Sequence, residues 1–323
     1  MSHAITVRCS GGPEALSWEP IDVPDPGPGE ARLRQFASGL NYIDVYHRTG
    51  FYAQALPFVP GVEGAGTIEA IGPGVCDLQV GDRVAYAGPL GSYAEHRLIA
   101  ADRLLKLPDS ISFEQAAAMM LQGMTAQMLL RQIHPVQRGE TILVHAAAGG
   151  TGLLLCQWAS ALGATVIGTV STAAKAALAS ANGCHHTILY TRQDFVSEVA
   201  RLTNGEKVAV VFDSVGGETF LRSLDCLRAR GWMVTFGQAS GPSAPIAPVL
   251  LAQKGSLFLT RPSIFHYIAT RQELERSANE LFAVVASGTV RVNINQRFRL
   301  SEAAHAHAAL ESRSTTGATV LVV

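Results

Sequence analysis

TILVHAAAGGTGLLLCQWASALG (residues 141–163) is the stretch on which the fold turns. TILVHA is a short, continuously apolar run of the kind that forms a strand buried on both faces of a parallel sheet. GLLLCQWASALG has the longer rhythm of a helix and closes at Gly163, a residue suited to a helix C-terminus. Between them, AAAGGTG is a strand-to-helix turn close to the pattern that cradles a dinucleotide pyrophosphate. Gly149 and Gly150 are expected to permit the turn and a close backbone approach, and Gly152 to let the helix pack tightly on the strand. The departure is Ala147, which stands where the pattern has its first glycine; alanine fits there if its φ is negative. An ordinary glycine-rich turn is the competing reading of the same residues.

Reading outward toward the C-terminus, ATVIGTV is a second strand and TAAKAALASANG a second helix stopped by Gly183. HTILY, DFVSEVARLTNG and VAVVFDSVG continue the alternation, followed by the helical GGETFLRSLDCLRARG and the strands in WMVTFGQ and GSLFLTRPS. Apolar strands alternating with amphipathic helices predict a doubly wound parallel sheet. The region Ile142–Val170 is not read as a membrane span. Gly149, Gly150, Gly152, Gln157, Ser160 and Gly163 interrupt it, and its pattern changes midway.

Toward the N-terminus the character is different. Before Gly123 the chain is rich in Gly and Pro, and DVPDPGPGEARLRQFASGLN and VGDRVAYAGPLGSYAEHRLI read as strands and tight turns. Val80 to Val84 looks like a hairpin corner, and Ser112 with Gln115 forms a capping box ahead of a helix. A barrel or rolled sheet is predicted there. After TRQELERSANELFAVVASG, a strand, a short helix and the terminal ATVLVV are too few for a domain of their own and are expected to rejoin the first. The expected division is residues 1–124 with 264–323, and 125–263.

Composition narrows the function classes. A length of 323 residues suggests about two domains. With 48% hydrophobic and 16% charged residues, a large core can form. A net charge of -1 supplies no broad field for nucleic acid or an anionic membrane. Cys9, Cys76, Cys156, Cys184 and Cys226 are scattered, odd in number and without C-x-x-C spacing, which suits a reducing, cytoplasmic setting. MSHAITVRCSGGPEALSW lacks the apolar core of a signal peptide.

The end of the second strand chooses between cofactors. An NAD site commonly carries Asp or Glu about 20 residues beyond the glycine loop, to accept bonds from ribose hydroxyls. GTVSTAAK has no acid from Gly168 to Lys175. If Ser171 or Thr172 caps the next helix, Lys175 falls in its first turn, where a cation costs ~0.3–1 kcal/mol against the helix dipole. A 2′-phosphate would reverse that penalty. A solvated surface lysine is the alternative, and the missing acid tips the reading to NADPH.

Together GLNYIDVYHRTGFY, PGVEGAG, VGDRVAY, AAAGGTG, the Lys175 segment, VFDSVGG, FGQASG, KGSLFLTRPS and ESRSTTG run from end to end of the chain. In these motifs and their spacing the chain resembles the zinc-independent quinone oxidoreductases of the medium-chain dehydrogenase/reductase superfamily, the ζ-crystallin group. The resemblance implies an α/β fold: a GroES-like β-barrel catalytic domain, discontinuous in sequence, with a Rossmann domain and NADPH in the cleft between them. It implies a homodimer built through the last Rossmann strand, near Leu257 to Thr260. By position it implies that Asn41, Tyr46 and Tyr52 line the nicotinamide and substrate end, with Thr125 near the cofactor. Gly149, Gly150, Thr151 and Gly152 would hold the pyrophosphate. Ser171, Lys175, Tyr190 and Arg313 would gather around the 2′-phosphate, and Ser214, Phe236, Gly237 and Ser240 would flank the cofactor. Each has a plainer competitor: Tyr46 and Tyr52 as barrel packing, Tyr190 as the end of a strand, Arg313 as a surface charge.

Zinc-dependent members of the superfamily carry a Gly-His-Glu element that here reads Gly61-Val62-Glu63, and a cysteine where this chain has Ser38-Gly39-Leu40. No metal is expected, and Glu63 is read as a structural turn residue. His305 and His307 are two apart on a predicted helix and diverge. An unactivated alcohol is a poor hydride donor without a Lewis acid, whereas a quinone or conjugated enone is already electron-poor. The reading is therefore NADPH-dependent quinone reduction, with Asn41, Tyr46 and Tyr52 as donors to the oxygen gaining charge. An enone reductase is the first alternative. An NADPH-binding protein with a nucleic-acid-binding or structural role is the second.

Overall fold

The computed structural model describes residues 2–323. The chain forms two compact units: one runs up to Met124 and includes Ile268–Ala286 and Val292–Val323, the other comprises Thr125–Tyr267 and Ser287–Arg291.

The first unit begins with β1 (Ser2–Val7), β2 (Leu16–Ile21), β3 (Glu30–Leu40), α1 (Tyr42–Arg48), β4 (Glu63–Ile71), β5 (Arg83–Ala87), β6 (His96–Ala100), β7 (Leu105–Lys106) and α2 (Phe113–Ala117). The helix α3 (Met120–Gln127) follows. The second unit then supplies β8 (Thr141–Val144), α4 (Gly150–Ala161), β9 (Thr165–Val170), α5 (Ala173–Ala181), β10 (His186–Leu189), α6 (Phe195–Leu202) and β11 (Val208–Asp213). It continues with α7 (Phe220–Ser223), β12 (Leu227–Thr235), α8 (Val249–Gln253), β13 (Phe258–Thr260) and α9 (Ile264–Tyr267). The chain closes with α10 (Arg271–Ala286), β14 (Ile294–Arg299), α11 (Ala303–Glu311) and β15 (Ala318–Val322).

In the first unit a sheet of seven strands runs β14-β15-β3-β4-β5-β7, with β6 also paired to β3. Every pairing in it is antiparallel except β14 with β15. β3 is long enough to pair with β6 over Glu30 to Arg34 and with β15 over Ala37 to Leu40. Two cores form beneath it, one around Leu33, Ile68, Val84 and Tyr86, the other around Ile5, Leu40, Tyr93, Leu300 and Leu321. The Ser112 capping box is present: Ser112 Oγ accepts from Gln115 N, and Gln115 Oε1 accepts from Ser112 N. Gly81, with φ +90, turns the corner ahead of β5.

The second unit holds six parallel strands in the order β10-β9-β8-β11-β12-β13. Numbered within the unit, that is 3-2-1-4-5-6, the doubly wound Rossmann order, whose direction reverses between β8 and β11. Fully buried apolar side chains such as Leu143, Ile167, Val211 and Met233 fill the sheet, each worth ~1.5–3 kcal/mol of burial. One expected boundary moves. The segment through Arg230 reads as helix, but the helix ends early and β12 starts at Leu227. Arg228, Ala229 and Arg230 are exposed, and Arg230 sits at φ +59, so this end of the strand carries no apolar alternation.

Candidate functional site

The glycine loop lies at the strand-order reversal of the second unit, where β8 gives way to α4. Its left-handed residue is not a glycine: Ala146 adopts φ +53, while Gly149 is the helix N-cap at φ -78 and ψ 172. Gly149 closes the turn, its N–H donating to the Ala146 carbonyl. Ala147 is fully buried and is not among the residues with positive φ, so its side chain is tolerated. Its methyl lies over Gly168 of β9, where an added Cβ would meet Ala147 Cβ at 2.6 Å. Gly152 is required by contact: a Cβ there would meet the Ala146 carbonyl oxygen at 2.3 Å and Ala147 C at 2.9 Å. As N-cap, Gly149 has no side chain to bond the first turn, and the N–H groups of Gly150, Thr151 and Gly152 are those a helix leaves without an intrahelical partner. This arrangement fits a pyrophosphate.

Below the loop, His145 is buried between two hydroxyls. Ser223 gives its proton to the Thr219 carbonyl, so it accepts from His145 Nε2 at 2.9 Å. Thr169 Oγ1 therefore donates to Nδ1, also at 2.9 Å. Burial lowers the pKa of the ring, which fixes it as a neutral bridge tying β8, β9 and α7.

At the end of β9, Thr172 is the N-cap of α5 and its Oγ1 accepts from Lys175 N at 3.2 Å. Lys175 is the third helical residue, in a first turn that contains no acid. The Ser171 carbonyl accepts from Thr191 Oγ1, and Tyr190, 39% exposed, bonds its N–H to the Val170 carbonyl. Ser171, Lys175 and Tyr190 thus belong to one corner of the unit. Arg313 belongs to the first unit, just after α11, at φ +59. Thr125 is half-buried in α3.

Beyond β11, Asp213 is fully buried and organises the next loop by accepting from Val215 N, Gly216 N and Thr219 Oγ1. Gly237 packs on Ser214, where a Cβ would meet the Ser214 carbonyl oxygen at 2.6 Å. Phe236 N donates to the Asp213 carbonyl. The Ser240 hydroxyl is already occupied, accepting from Glu218 N and donating to the Val215 carbonyl. These two bonds tie the loop together.

In the first unit, Asn41 follows β3 and caps α1. Its amide is held on both sides: Nδ2 donates to Glu63 Oε1 at 2.5 Å, and Oδ1 accepts from Gln122 Nε2 at 3.0 Å. The second Glu63 oxygen accepts from Leu121 N at 2.7 Å. Glu63 is therefore no turn residue; it opens β4, fully buried. Burial pushes its pKa up to about 8, against the pull of the two N–H donors. Asp44, three residues past the cap, accepts from Asn41 N and from the Tyr93 hydroxyl, and burial raises its pKa to about 7. Tyr93 also meets His307 Nε2, whose Nδ1 faces Arg48; Arg48 bonds Glu311.

A group of rings gathers where α1 ends and the next loop begins. Tyr46 and Tyr52 meet edge to face with centroids 5.3 Å apart. Phe51 lies 5.8 Å from Tyr46 and 5.3 Å from Tyr52, and is 51% exposed. The three expected donors, Asn41, Tyr46 and Tyr52, thus share one helix and the loop that follows it.

At the positions where zinc-dependent relatives carry ligands, the Ser38 hydroxyl donates to the Ser92 carbonyl and Val62 is buried. Among the described residues no group of three or more His, Cys, Asp or Glu could hold a metal ion. No helix among them is long and apolar enough to cross a membrane.

With this geometry established, known proteins are informative. Residues 27–109 match the alcohol dehydrogenase GroES-like domain, and residues 150–283 match the family described as zinc-binding dehydrogenase. The chain is 51% identical over 324 residues to a quinone oxidoreductase of Pseudomonas aeruginosa, covering all of both proteins. It belongs to the quinone oxidoreductase family of the medium-chain dehydrogenases/reductases. Within that family, a 2-haloacrylate reductase of a Burkholderia species is 45% identical over 100% of this chain and 99% of its own. The crystal structure of Escherichia coli quinone oxidoreductase complexed with NADPH superposes with a TM-score of 0.97 at 46% identity, covering 99% of this chain and 100% of that one. The fold is accordingly a GroES-like domain and a Rossmann domain.

Three participants in the quinone oxidoreductase fold escaped the sequence reading. Gln122 and Glu63 clamp Asn41, and Asp213 orders the loop after β11. Gln122 carried no local signal. Glu63 did, as a carboxylate inside the apolar PGVEGAG, a polar group that burial obliges to find partners.

Proposed function

We propose that the protein is an NADPH-dependent, metal-free reductase of quinones. The observation that carries the reading is the Asn41 amide. Two bonds hold it, one Nδ2 hydrogen remains, and it caps the helix whose far end, with the loop beyond, carries the rings of Tyr46, Phe51 and Tyr52. A remaining amide N–H suits a conjugated carbonyl acceptor, whose oxygen gains negative charge as it is reduced, and the rings offer flat apolar faces to such a molecule.

When bound, NADPH supplies the hydride. The first-turn N–H groups of Gly150, Thr151 and Gly152 would hold its pyrophosphate, and Ser171, Lys175, Tyr190 and Arg313 its 2′-phosphate. Thr125, Ser214, Phe236, Gly237 and Ser240 would shape the rest of its site. Asn41, Tyr46 and Tyr52 orient the acceptor and donate hydrogen bonds to its oxygen. The donor set at Ser38, Gly39 and Val62 offers neither thiolate nor imidazole.

A second reading, reduction of conjugated carbonyl compounds such as haloacrylates, is favoured by the 45% identical reductase. Turnover of 1,4-benzoquinone beside a simple enone, with NADPH and NADH in parallel and the products analysed, decides between them. Preference for NADPH and formation of the quinol are expected; reduction of the enone alone would overturn the first reading. We also assign a homodimer through β13, an edge strand whose Phe258 and Leu259 are 48% and 37% exposed. A cytoplasmic setting agrees with five free cysteines.

A further inference from the structure

Asn41 can serve an acceptor oxygen only if its amide presents nitrogen, and an isolated side-chain amide has no reason to prefer one orientation. The surroundings decide it. On one side stands Glu63 Oε1, which accepts from Nδ2; on the other, Gln122 Nε2 donates to Oδ1. While Glu63 is a carboxylate, turning the amide over would set oxygen against oxygen and lose that bond. Gln122, whose Oε1 has no partner among the described residues, could turn its own amide and follow, so Glu63 decides the orientation.

Glu63 is itself locked. Its second oxygen accepts from Leu121 N, a first-turn N–H of α3 that the helix cannot satisfy alone. A carboxyl oxygen in that position is also favoured by the helix dipole. Both oxygens of Glu63 are therefore occupied by N–H donors. The path from β4 to Asn41 is open because residue 39 is a glycine: a Cβ there would meet Glu63 Oε1 at 2.3 Å and the Ala117 carbonyl oxygen at 2.1 Å. Chain segments distant in sequence, at Gly39, Glu63 and Leu121-Gln122, thus converge on one amide.

We propose that Glu63 is a positioning residue for the reduction: together with Gln122 it fixes the orientation of Asn41, so that the remaining Nδ2 hydrogen faces the acceptor oxygen. The inference rests on the reading of Asn41 as a donor to the substrate. It adds that the donor is aimed by a buried carboxyl group which touches neither substrate nor cofactor.

Glu63→Gln is the test. Glutamine keeps the shape but offers one oxygen where two N–H donors need one each, so either Asn41 or Leu121 faces an NH2. Expected, above pH 8 where Glu63 is a carboxylate, is a fall in kcat for 1,4-benzoquinone of about tenfold or more, toward the roughly 100-fold loss typical of removing one such donor. The Kd for NADPH, read by fluorescence titration, stays unchanged. In an Asn41→Ala background the same substitution should cost less than twofold, because there is no amide left to aim. An undiminished effect in that background would overturn the proposal, as would Glu63→Gln retaining kcat within twofold of the parent. Gln122→Met, which removes the other clamp, is expected to follow the same pattern and serves if Glu63→Gln does not fold.

A readout free of turnover separates this inference from the function it rests on. In NMR spectra the Asn41 side-chain NH2 proton bonded to Glu63 should lie downfield and exchange slowly with solvent in the parent, and lose both the downfield shift and the protection in Glu63→Gln. Clamped signals in a protein that turns over no quinone would refute the quinone reading and leave the clamp standing. Signals unaffected by the substitution would refute the clamp itself.

Discussion

Replacing Gly152 with alanine tests the glycine loop directly. The added Cβ would lie 2.3 Å from the Ala146 carbonyl oxygen and 3.0 Å from Ala147 Cα, both backbone atoms of the loop. Ordinary contact begins near 3.4 Å, so α4 and the loop must separate by about 1 Å. Two effects oppose each other. Alanine inside a helix is favoured over glycine by ~0.8–1 kcal/mol. Overpacking against groups that cannot rotate away costs ~1–3 kcal/mol, and here the obstruction is main chain, which places the cost at the upper end. The net expectation is a loss of ~1–2 kcal/mol in urea denaturation. The same displacement moves the first-turn N–H groups from their place beneath the loop, so the Kd for NADPH should rise about tenfold, equivalent to ~1.4 kcal/mol. Gly149→Ala is the matched control, since its Cβ would meet only the Ala146 oxygen at 3.3 Å and its φ of -78 suits alanine. A Gly152→Ala protein as stable as the parent, with unchanged NADPH affinity, would refute the steric reading.

Three further outcomes are expected. Lys175→Glu should weaken NADPH far more than NADH, measured by fluorescence titration of both; equal losses would remove Lys175 from the 2′-phosphate site. Asp44 has a folded pKa raised to about 7 by burial, so between pH 4 and 7 the folded state keeps a proton that the unfolded chain has lost. Its contribution to stability is complete below about pH 4, declines as pH rises by up to ~1.4 kcal/mol per unit, and is spent above about pH 7. Asp44→Asn should lessen the dependence of urea midpoints on pH across that window, leaving the part due to Glu63, whose pKa is also raised; an unchanged slope would contradict the assignment. Tyr46→Phe and Tyr52→Phe, followed by single-turnover kinetics, should each slow hydride transfer; if neither does, tyrosine donation is ruled out.

The second unit was readable because a strand buried on both faces leaves a continuous apolar run, as Ile142 to Val144 and Val208 to Phe212 do. β12 defeated that logic at its start, where Arg228 to Arg230 are exposed and carry charge. The loop was legible as a class but not in its geometry, because Ala146 in a left-handed conformation leaves no mark in an alanine run. Thr172 and Lys175 were legible because a cap and its helix are local. The clamp on Asn41 was not, since its members meet only through the packing of β3, β4 and α3. Adjacency in the sheet, rather than in the chain, brings Glu63 to Asn41.

The strand β15 has a consequence for how the protein is made. It pairs with Ala37 to Leu40 of β3, although the two are separated in the chain by the entire second unit. At ribosomal rates of roughly 5–20 residues per second, β3 waits on the order of 15–60 s for that partner. During the delay its inner half is an open edge, a ready template for pairing with other nascent chains. The Rossmann unit has its six strands in hand well before then and can close alone. The segment left exposed ends at Asn41, so the donor end of the site is among the last parts of the molecule to be assembled, and chaperone binding during translation should concentrate there.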